Sequence, residues 1–377
     1  MVDSSFITST LVDLVKINSV NPALEEGGPG EMALAKYIHQ VLLSLGWEAS
    51  LESIIDNRVN VVGHWKGTGN GRSLMLNAHM DTVGVQGMDN PFGAVIKDGK
   101  LFGRGAYDMK GSIAAMLGVA KAIADTAMKL QGDLYLTFVA DEEYESIGTE
   151  ALLKRYKADA CIVTEPTDLK VCLGHRGFGV FEINTYGKVA HGGLHREGVD
   201  ANMKMGKLLH ELNTLSQSLN QRFHHLCGEA SLHVPLISGG QSLFIYSDNC
   251  SIKVERRTLP GETLNQVKDE FQNIIDELAA QDNDFKADIK KLIWRNPYEV
   301  RKSSAIVETL CQNVPGPVDF VGHTWWEDSG LFGEAGIETV IMGPIGGGIH
   351  QPVEWVELDS VVELAEILSK TAQRYCQ

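Results

Sequence analysis

Apolar residues recur at three- and four-residue spacing over about 3–17 and 31–45, the pattern of a helix that buries one face. Shorter, largely apolar runs follow at Asn60-Val61-Val62-Gly63, Leu74-Met75-Leu76 and Leu134-Tyr135-Leu136-Thr137-Phe138-Val139. Between the last two lies a small-residue helix, Gly111-Ser112-Ile113-Ala114-Ala115-Met116-Leu117. Helices alternating with strands apolar on both faces predict α/β: a mixed, mostly parallel sheet covered by helices. The texture changes near Gly177. Phe178 to Tyr186 alternates like a half-exposed strand. Then come a helix at about 199–216, strands at about 231–238 and 250–257, a helix at about 263–281 and a strand at about 284–293. That β-α-β-β-α-β order is the ferredoxin-like α+β unit. From about 295 the α/β texture returns. The expected organisation is one α/β domain over 1–176 and 295–377, interrupted by an inserted α+β domain over 177–294.

The length of 377 residues fits two domains better than one core. A net charge of −16 argues against a nucleic-acid surface, which needs clustered cations, and against docking on anionic lipid. Its plain consequence is solubility. The six cysteines are scattered without a C-x-x-C pair, so a reducing compartment fits better than a disulfide framework. The first residues, MVDSSFITSTLVDLVKI, read as an amphipathic helix rather than a secretory signal, and no apolar run reaches the roughly 18 residues that span a bilayer. The expectation is a cytoplasmic protein.

Candidate chemistry sits at strand ends, where open α/β sheets place ligands. An apolar strand runs into His79-Met80-Asp81. A metal-binding His usually gives its other ring N–H to a carboxylate, so His79 reads as ligand and Asp81 as its partner; taken alone, an ordinary hydrogen-bonded His at a strand end is the commoner case. Asp108, in a Gly-rich turn before the helix at Gly111, can cap that helix or share its two oxygens between two cations. Ala140-Asp141-Glu142-Glu143 follows the strand ending at Val139. Adjacent carboxylates there need cations or solvent to stay ionised, and one can bind metal while its neighbour faces a water as general base. Glu165 follows the run Ile162-Val163-Thr164, and the loop Gly343–Ile349 delivers His350. This set offers N and O donors without thiolate, which suits zinc, cobalt or manganese, and a bridging carboxylate would place two ions about 3.5–4 Å apart. Gly67-Thr68-Gly69-Asn70-Gly71 is not a dinucleotide loop: it precedes a strand instead of joining a strand to a helix.

His79-Met80-Asp81-Thr82-Val83, Gly103-Arg104-Gly105 with Asp108-Met109-Lys110-Gly111, Asp141-Glu142-Glu143, Thr164-Glu165-Pro166 and His350-Gln351-Pro352 fall in order. Together they resemble the acetylornithine deacetylase / succinyl-diaminopimelate desuccinylase / carboxypeptidase G family of di-zinc hydrolases, over nearly the whole chain. The resemblance implies that Asp108 bridges two metals, His79 and Glu165 completing one and Glu143 and His350 the other. It implies Glu142 as general base and a cis peptide bond after Asp108. The insert then corresponds to the family's lid and dimerisation domain. His191, in Ala190-His191-Gly192-Gly193, would stabilise the oxyanion, and Arg257 would grip a substrate carboxylate.

Three positions depart from the family pattern. Phe244 stands where a substrate-binding Asn is usual, Ser247 where Pro is usual, and Glu327 adds a charge beside the expected pocket. An aromatic or cationic substrate group would explain Phe244, Trp325, Trp326 and Glu327 through stacking or cation–π contact; core packing of the aromatics explains them equally. The expected activity is metal-dependent hydrolysis of an N-acyl amino acid, by a homodimer formed through the lid. A carboxypeptidase or dipeptidase of the same family is the alternative within the class, and an inactive binding scaffold the alternative outside it.

Overall fold

The computed structural model describes residues 2–126 and 128–377. The chain forms two compact units, one of Met1–Leu173, Val300–Val321 and Glu327–Gln377, the other of Gly174–Glu299 and Gly322–Trp326. The division departs from the expected boundaries by a few residues at each junction, and Gly322–Trp326 joins the second unit.

The largest sheet includes, in this order, Glu48–Ile55, Arg58–Trp65, Leu134–Val139, Leu74–His79, Ala160–Val163, Glu338–Ile341 and Val171–His175. The four strands Leu134–Val139, Leu74–His79, Ala160–Val163 and Glu338–Ile341 run parallel, flanked by antiparallel pairs. This is the mixed, mostly parallel sheet predicted. Leu74–His79 is buried along its whole length, as a strand covered on both faces must be. The helix Ser4–Lys16 buries Ile7, Leu11, Leu14 and Val15, one helical stripe, and is capped by the Asp3 side chain accepting from Phe6 N–H. It packs with Gly111–Thr126 and Leu358–Tyr375. A Cβ at Gly118 would fall 2.6 Å from Ile7 Cγ1, so glycine permits the close approach of these helices.

The four parallel strands point the same way. Their C-terminal ends therefore gather His79, the Ala140–Glu143 turn, Glu165 and the loop to His350 at one edge of the sheet.

The second unit has an antiparallel sheet ordered Ser231–Gly239, Asn249–Thr258, Gly177–Tyr186, Lys286–Arg295. Helices Ala201–Leu219 and Leu264–Gln281 bury Phe181, Ile183, Ile252, Val254, Leu208 and Phe271 with it on one face. Thr263 and Gln266 form a reciprocal capping box at the start of the second helix.

Candidate metal centre

Asp108 is the pivot of the site. Its Oδ1 lies 3.0 Å from His79 Nε2, which is also 3.5 Å from Glu165 Oε1. Its Oδ2 lies 3.2 Å from His350 Nε2, which is 3.0 Å from Glu143 Oε2. The result is two triads, His79–Asp108–Glu165 and Asp108–Glu143–His350, each with its donor atoms within 4.8 Å of one another and each using a different oxygen of Asp108. Two donors about 2.1 Å from one tetrahedral ion stand about 3.4 Å apart, so this spacing suits a shared cation. The Asp108–Met109 peptide bond is cis, as the resemblance implied.

The charge balance points the same way. Asp108, Glu142, Glu143, Glu165, Glu327 and Asp328 converge with only two imidazoles, His79 and His350, among the groups that perturb them. Burial raises the Glu142 and Glu165 carboxyls well above the ordinary range; Glu165 adds to the effect on Glu142, and Asp108 and Glu327 to that on Glu165. Burial and then Asp108 raise Glu143, whose Oε1 has no hydrogen-bond partner. Carboxylates gathered in this way lack positive charge, and a pair of divalent cations would supply it.

Asp81 behaves differently from the sequence expectation. His79 Nδ1 is 2.9 Å from the main-chain oxygen of Asp81, while the Asp81 carboxylate stands 3.7 Å away. Asp81 lies past the last residue of the strand, so strand alternation no longer aims its side chain. The carboxylate instead accepts the backbone N–H groups of Glu142 at 3.1 Å and Glu143 at 3.2 Å.

A further residue that sequence reasoning missed is Glu354. This buried carboxylate accepts from the N–H groups of Gly105 (3.0 Å), Tyr107 (2.9 Å) and Asp108 (3.0 Å) and from Arg104 (2.6 Å). Arg104 also donates to Gln351 O at 3.2 Å, which ties the Asp108 turn to the His350 loop. The only signal was its place four residues after His350, in a stretch without periodicity.

Glu327 lies in the first unit, buried, with the Ser329 hydroxyl donating to Oε1 at 3.1 Å. Burial and then Asp328, against the Ser329 hydrogen bonds, push its carboxyl up to about 8. His191, Arg257 and Phe244 lie in the second unit. His191 is exposed, and its Nδ1 accepts from Gly193 N–H at 3.1 Å. Arg257 is paired with Glu255 and lies 5.1 Å over the Phe178 ring. Phe244 is 73% exposed, so it is no part of a core. Trp325 stacks on His323 at 4.3 Å and Trp326 meets Phe178 edge-on at 6.3 Å.

The second unit also brings His224, His225 and Glu299 together. There His224 Nδ1 accepts from the N–H groups of Leu226 and Cys227, so the neutral ring keeps its proton on Nε2, facing Glu299 at 3.4 Å. With Nε2 carrying that proton, the ring faces Glu299 as a hydrogen-bond donor and not as a metal ligand.

Parallel strands delivering His, Asp and Glu to one edge, around a carboxylate shared by two triads, define a metal-dependent hydrolase. The chain belongs to Peptidase family M20/M25/M40, whose model matches residues 75–374, and is a hydrolase of amide bonds. It is 28% identical over 362 residues to an acetylornithine deacetylase of Myxococcus xanthus, covering 91% of this chain and 92% of that one. It is 27% identical over 383 residues to the N-formyl-4-amino-5-aminomethyl-2-methylpyrimidine deformylase of Bacillus subtilis (strain 168), covering 91% and 89%. Among solved structures, the aminopeptidase PepT of Bacillus cereus superposes with a TM-score of 0.81 at 17% identity, over 100% of both chains. The YXEP protein of Bacillus subtilis, described as a dinuclear metal-binding peptidase of the M20 family, does so at 0.77 and 17%, over 99% of both. The family and fold class read from the motifs are thus those of the chain. Among the described residues no helix is long and apolar enough to cross a membrane, and all six cysteines are free thiols.

Proposed function

We propose that the protein hydrolyses N-acyl amino acids, as a deacetylase or aminoacylase, with two divalent ions per chain, zinc before cobalt or manganese. The observation that carries the reading is the division of Asp108 between two triads beside Glu142. His79, Glu165 and Asp108 would hold one ion, and Glu143, His350 and Asp108 the other. The absence of thiolate among these donors suits those metals. Ions bound there would polarise the scissile carbonyl and lower the pKa of water toward about 7.

The protein's own groups do the rest. Glu142, whose carboxyl is raised by burial, takes a proton from the attacking water on a carboxylate oxygen and passes it to the leaving amine nitrogen. His191 accepts at Nδ1, so its neutral ring carries a proton on Nε2 and can donate to the developing oxyanion. Arg257 exchanges Glu255 for the substrate carboxylate, with Phe244 and Glu327 contributing to substrate choice.

Relatives named acetylornithine deacetylase support the acyl amino acid reading over the peptidase one. The unpaired edge strand Ser231–Gly239, with Leu236 and Ile237 59% and 60% exposed, supports a homodimer through the second unit. The free thiols support a reducing, cytoplasmic setting. The test is turnover by zinc- and cobalt-loaded enzyme of N-acetyl amino acids against dipeptides; faster dipeptide hydrolysis would move the assignment to a dipeptidase. In the same assay Glu142→Gln lowers kcat about 10³-fold while two metal ions per chain are retained. Turnover near that of the unaltered enzyme would remove Glu142 as base.

A further inference from the structure

Glu142 and Glu143 are aimed by what lies behind them. Asp141 turns the chain with φ +69°, a left-handed conformation that aspartate tolerates better than most residues. Its Oδ2 accepts from Glu145 N–H at 3.3 Å, while Asp81 holds the N–H groups of Glu142 and Glu143. Asp81 and Asp141 are both buried, 0% and 2% exposed, and as neighbouring anions they repel. Asn21 stands between them. Its amide nitrogen donates to Asp81 Oδ2 at 2.8 Å and to Asp141 Oδ1 at 3.0 Å. Its carbonyl oxygen accepts from Ala23 N–H at 3.0 Å and Arg58 Nη1 at 3.4 Å. These partners fix the amide orientation, because the flipped form would set an oxygen against both carboxylates. Arg58 closes the group: Nη2 is 2.8 Å from Asp141 Oδ1, and Glu31 holds its Nε at 2.9 Å. The cluster joins sequence positions 21, 31, 58, 81 and 141 in one buried network.

We propose that Asn21 and Arg58 are positioning residues for the reaction, clamping Asp81 and Asp141 so that the Glu142–Glu143 turn presents its carboxylates to the metal centre. The inference rests on the reading of Glu142 as base and Glu143 as ligand. Neither Asn21 nor Arg58 has a described contact with a donor atom of the triads, so as positioning residues they affect kcat and the order of the turn rather than KM.

The test compares Asn21→Ala with Asn21→Asp at pH 8. The aspartate is nearly isosteric but sets a third carboxylate where two amide hydrogens were needed. If Asn21 only filled space, Asn21→Asp would be the milder change; if it clamps, Asn21→Asp is the worse. In metal-free protein, hydrogen exchange over 140–146 is expected to rise at least tenfold in Asn21→Asp and less in Asn21→Ala, with the strand 134–139 still protected. In zinc-loaded enzyme, with the fastest N-acetyl amino acid of the panel, kcat falls at least tenfold in both, more in Asn21→Asp, and KM stays within threefold. Unchanged exchange in both variants, or a milder Asn21→Asp, overturns the proposal. If Asn21→Asp does not fold, Asn21→Ala decides by the same two readouts. If neither folds, Arg58→Lys decides: it keeps a cation near Glu31 but loses the forked reach to Asp141. Loss of protection over 134–139 in all three also overturns the proposal, since the clamp would then serve the fold and not the turn. The exchange readout needs no role for Glu142, so full turnover in Glu142→Gln would sink the catalytic reading without touching the clamp.

Discussion

Each unit buries a cluster of charged side chains, and the two clusters are balanced in different ways. In the second unit Arg256, with its side chain 0% exposed, donates to Glu262 at 2.6 Å and to Glu270 at 3.2 Å. Arg222 reaches Glu262 at 3.0 Å and also pairs with Glu270. Two cations meet two anions there. Burial would raise the Glu262 carboxyl, but the Leu259 N–H and Arg256 outweigh it and hold that carboxyl below the ordinary range. In the first unit burial wins, and the carboxyls of Glu142, Glu143 and Glu165 rise, because two imidazoles face many more acids. A buried cluster that closes its own charge is architecture. One that leaves anions over is built for a cation from outside.

The strongest way to break this contrast is to unbalance the closed cluster. Arg256→Met leaves Glu262 and Glu270 facing each other without their buried partner, and chemical denaturation should show a loss of about 3–5 kcal/mol. A loss under 1 kcal/mol would mean the arginine is no keystone. The reverse experiment removes an anion from the open cluster. Glu165→Gln should weaken zinc binding about 100-fold, equal to about 2.7 kcal/mol, in a calorimetric titration. In metal-free protein the same change should not destabilise and should raise the melting temperature slightly. The sign follows from the raised carboxyl: a group with a folded pKa above its unfolded value loses stability as pH climbs through the folded value, and glutamine has nothing to lose. A metal-free Glu165→Gln that melts well below the parent would show that the acids are already compensated.

The open cluster was more legible in the sequence than the clamp and the Glu354 strap that hold it. His79 ends one apolar strand and Glu143 and Glu165 follow two others, and parallel strands bring their ends together, so the ligands could be read one strand at a time. Their supports could not. Asn21 meets Asp81 and Asp141 across 60 and 120 residues, and Glu354 meets Asp108 across 246. These are polar residues in loops, where no periodicity reports a partner. Asp81 meets His79 Nδ1 through its main-chain oxygen more closely than through its carboxylate for a related reason, since alternation stops where the strand stops. The five residues Gly322–Trp326 carry too little texture of their own to reveal that they belong with the second unit.

The smallest effect concerns a group that stays uncharged where no anion waits for it. His175, in the second unit, is fully buried with its Nδ1 2.8 Å from Arg176 O and no partner for Nε2. Burial, with His323 adding repulsion, lowers its pKa from 6.5 to about 3 despite the bond to Arg176 O. The folded value lies below the unfolded one, so the unfolded chain binds the extra proton between those limits. Stability is therefore complete above about pH 6.5 and declines as pH falls toward 3. From pH 6.5 to 5.5 the contribution of this one group is at most about 1.4 kcal/mol. His175→Gln removes the titration while keeping a side chain that can donate to Arg176 O. The difference in unfolding free energy between parent and variant should shrink as pH drops over that interval. A difference independent of pH would mean that His175 takes up its proton in the folded state as readily as in the unfolded chain. The second unit would then have a counter-charge for it, and the contrast between a self-balanced unit and one awaiting a cation would lose half its support.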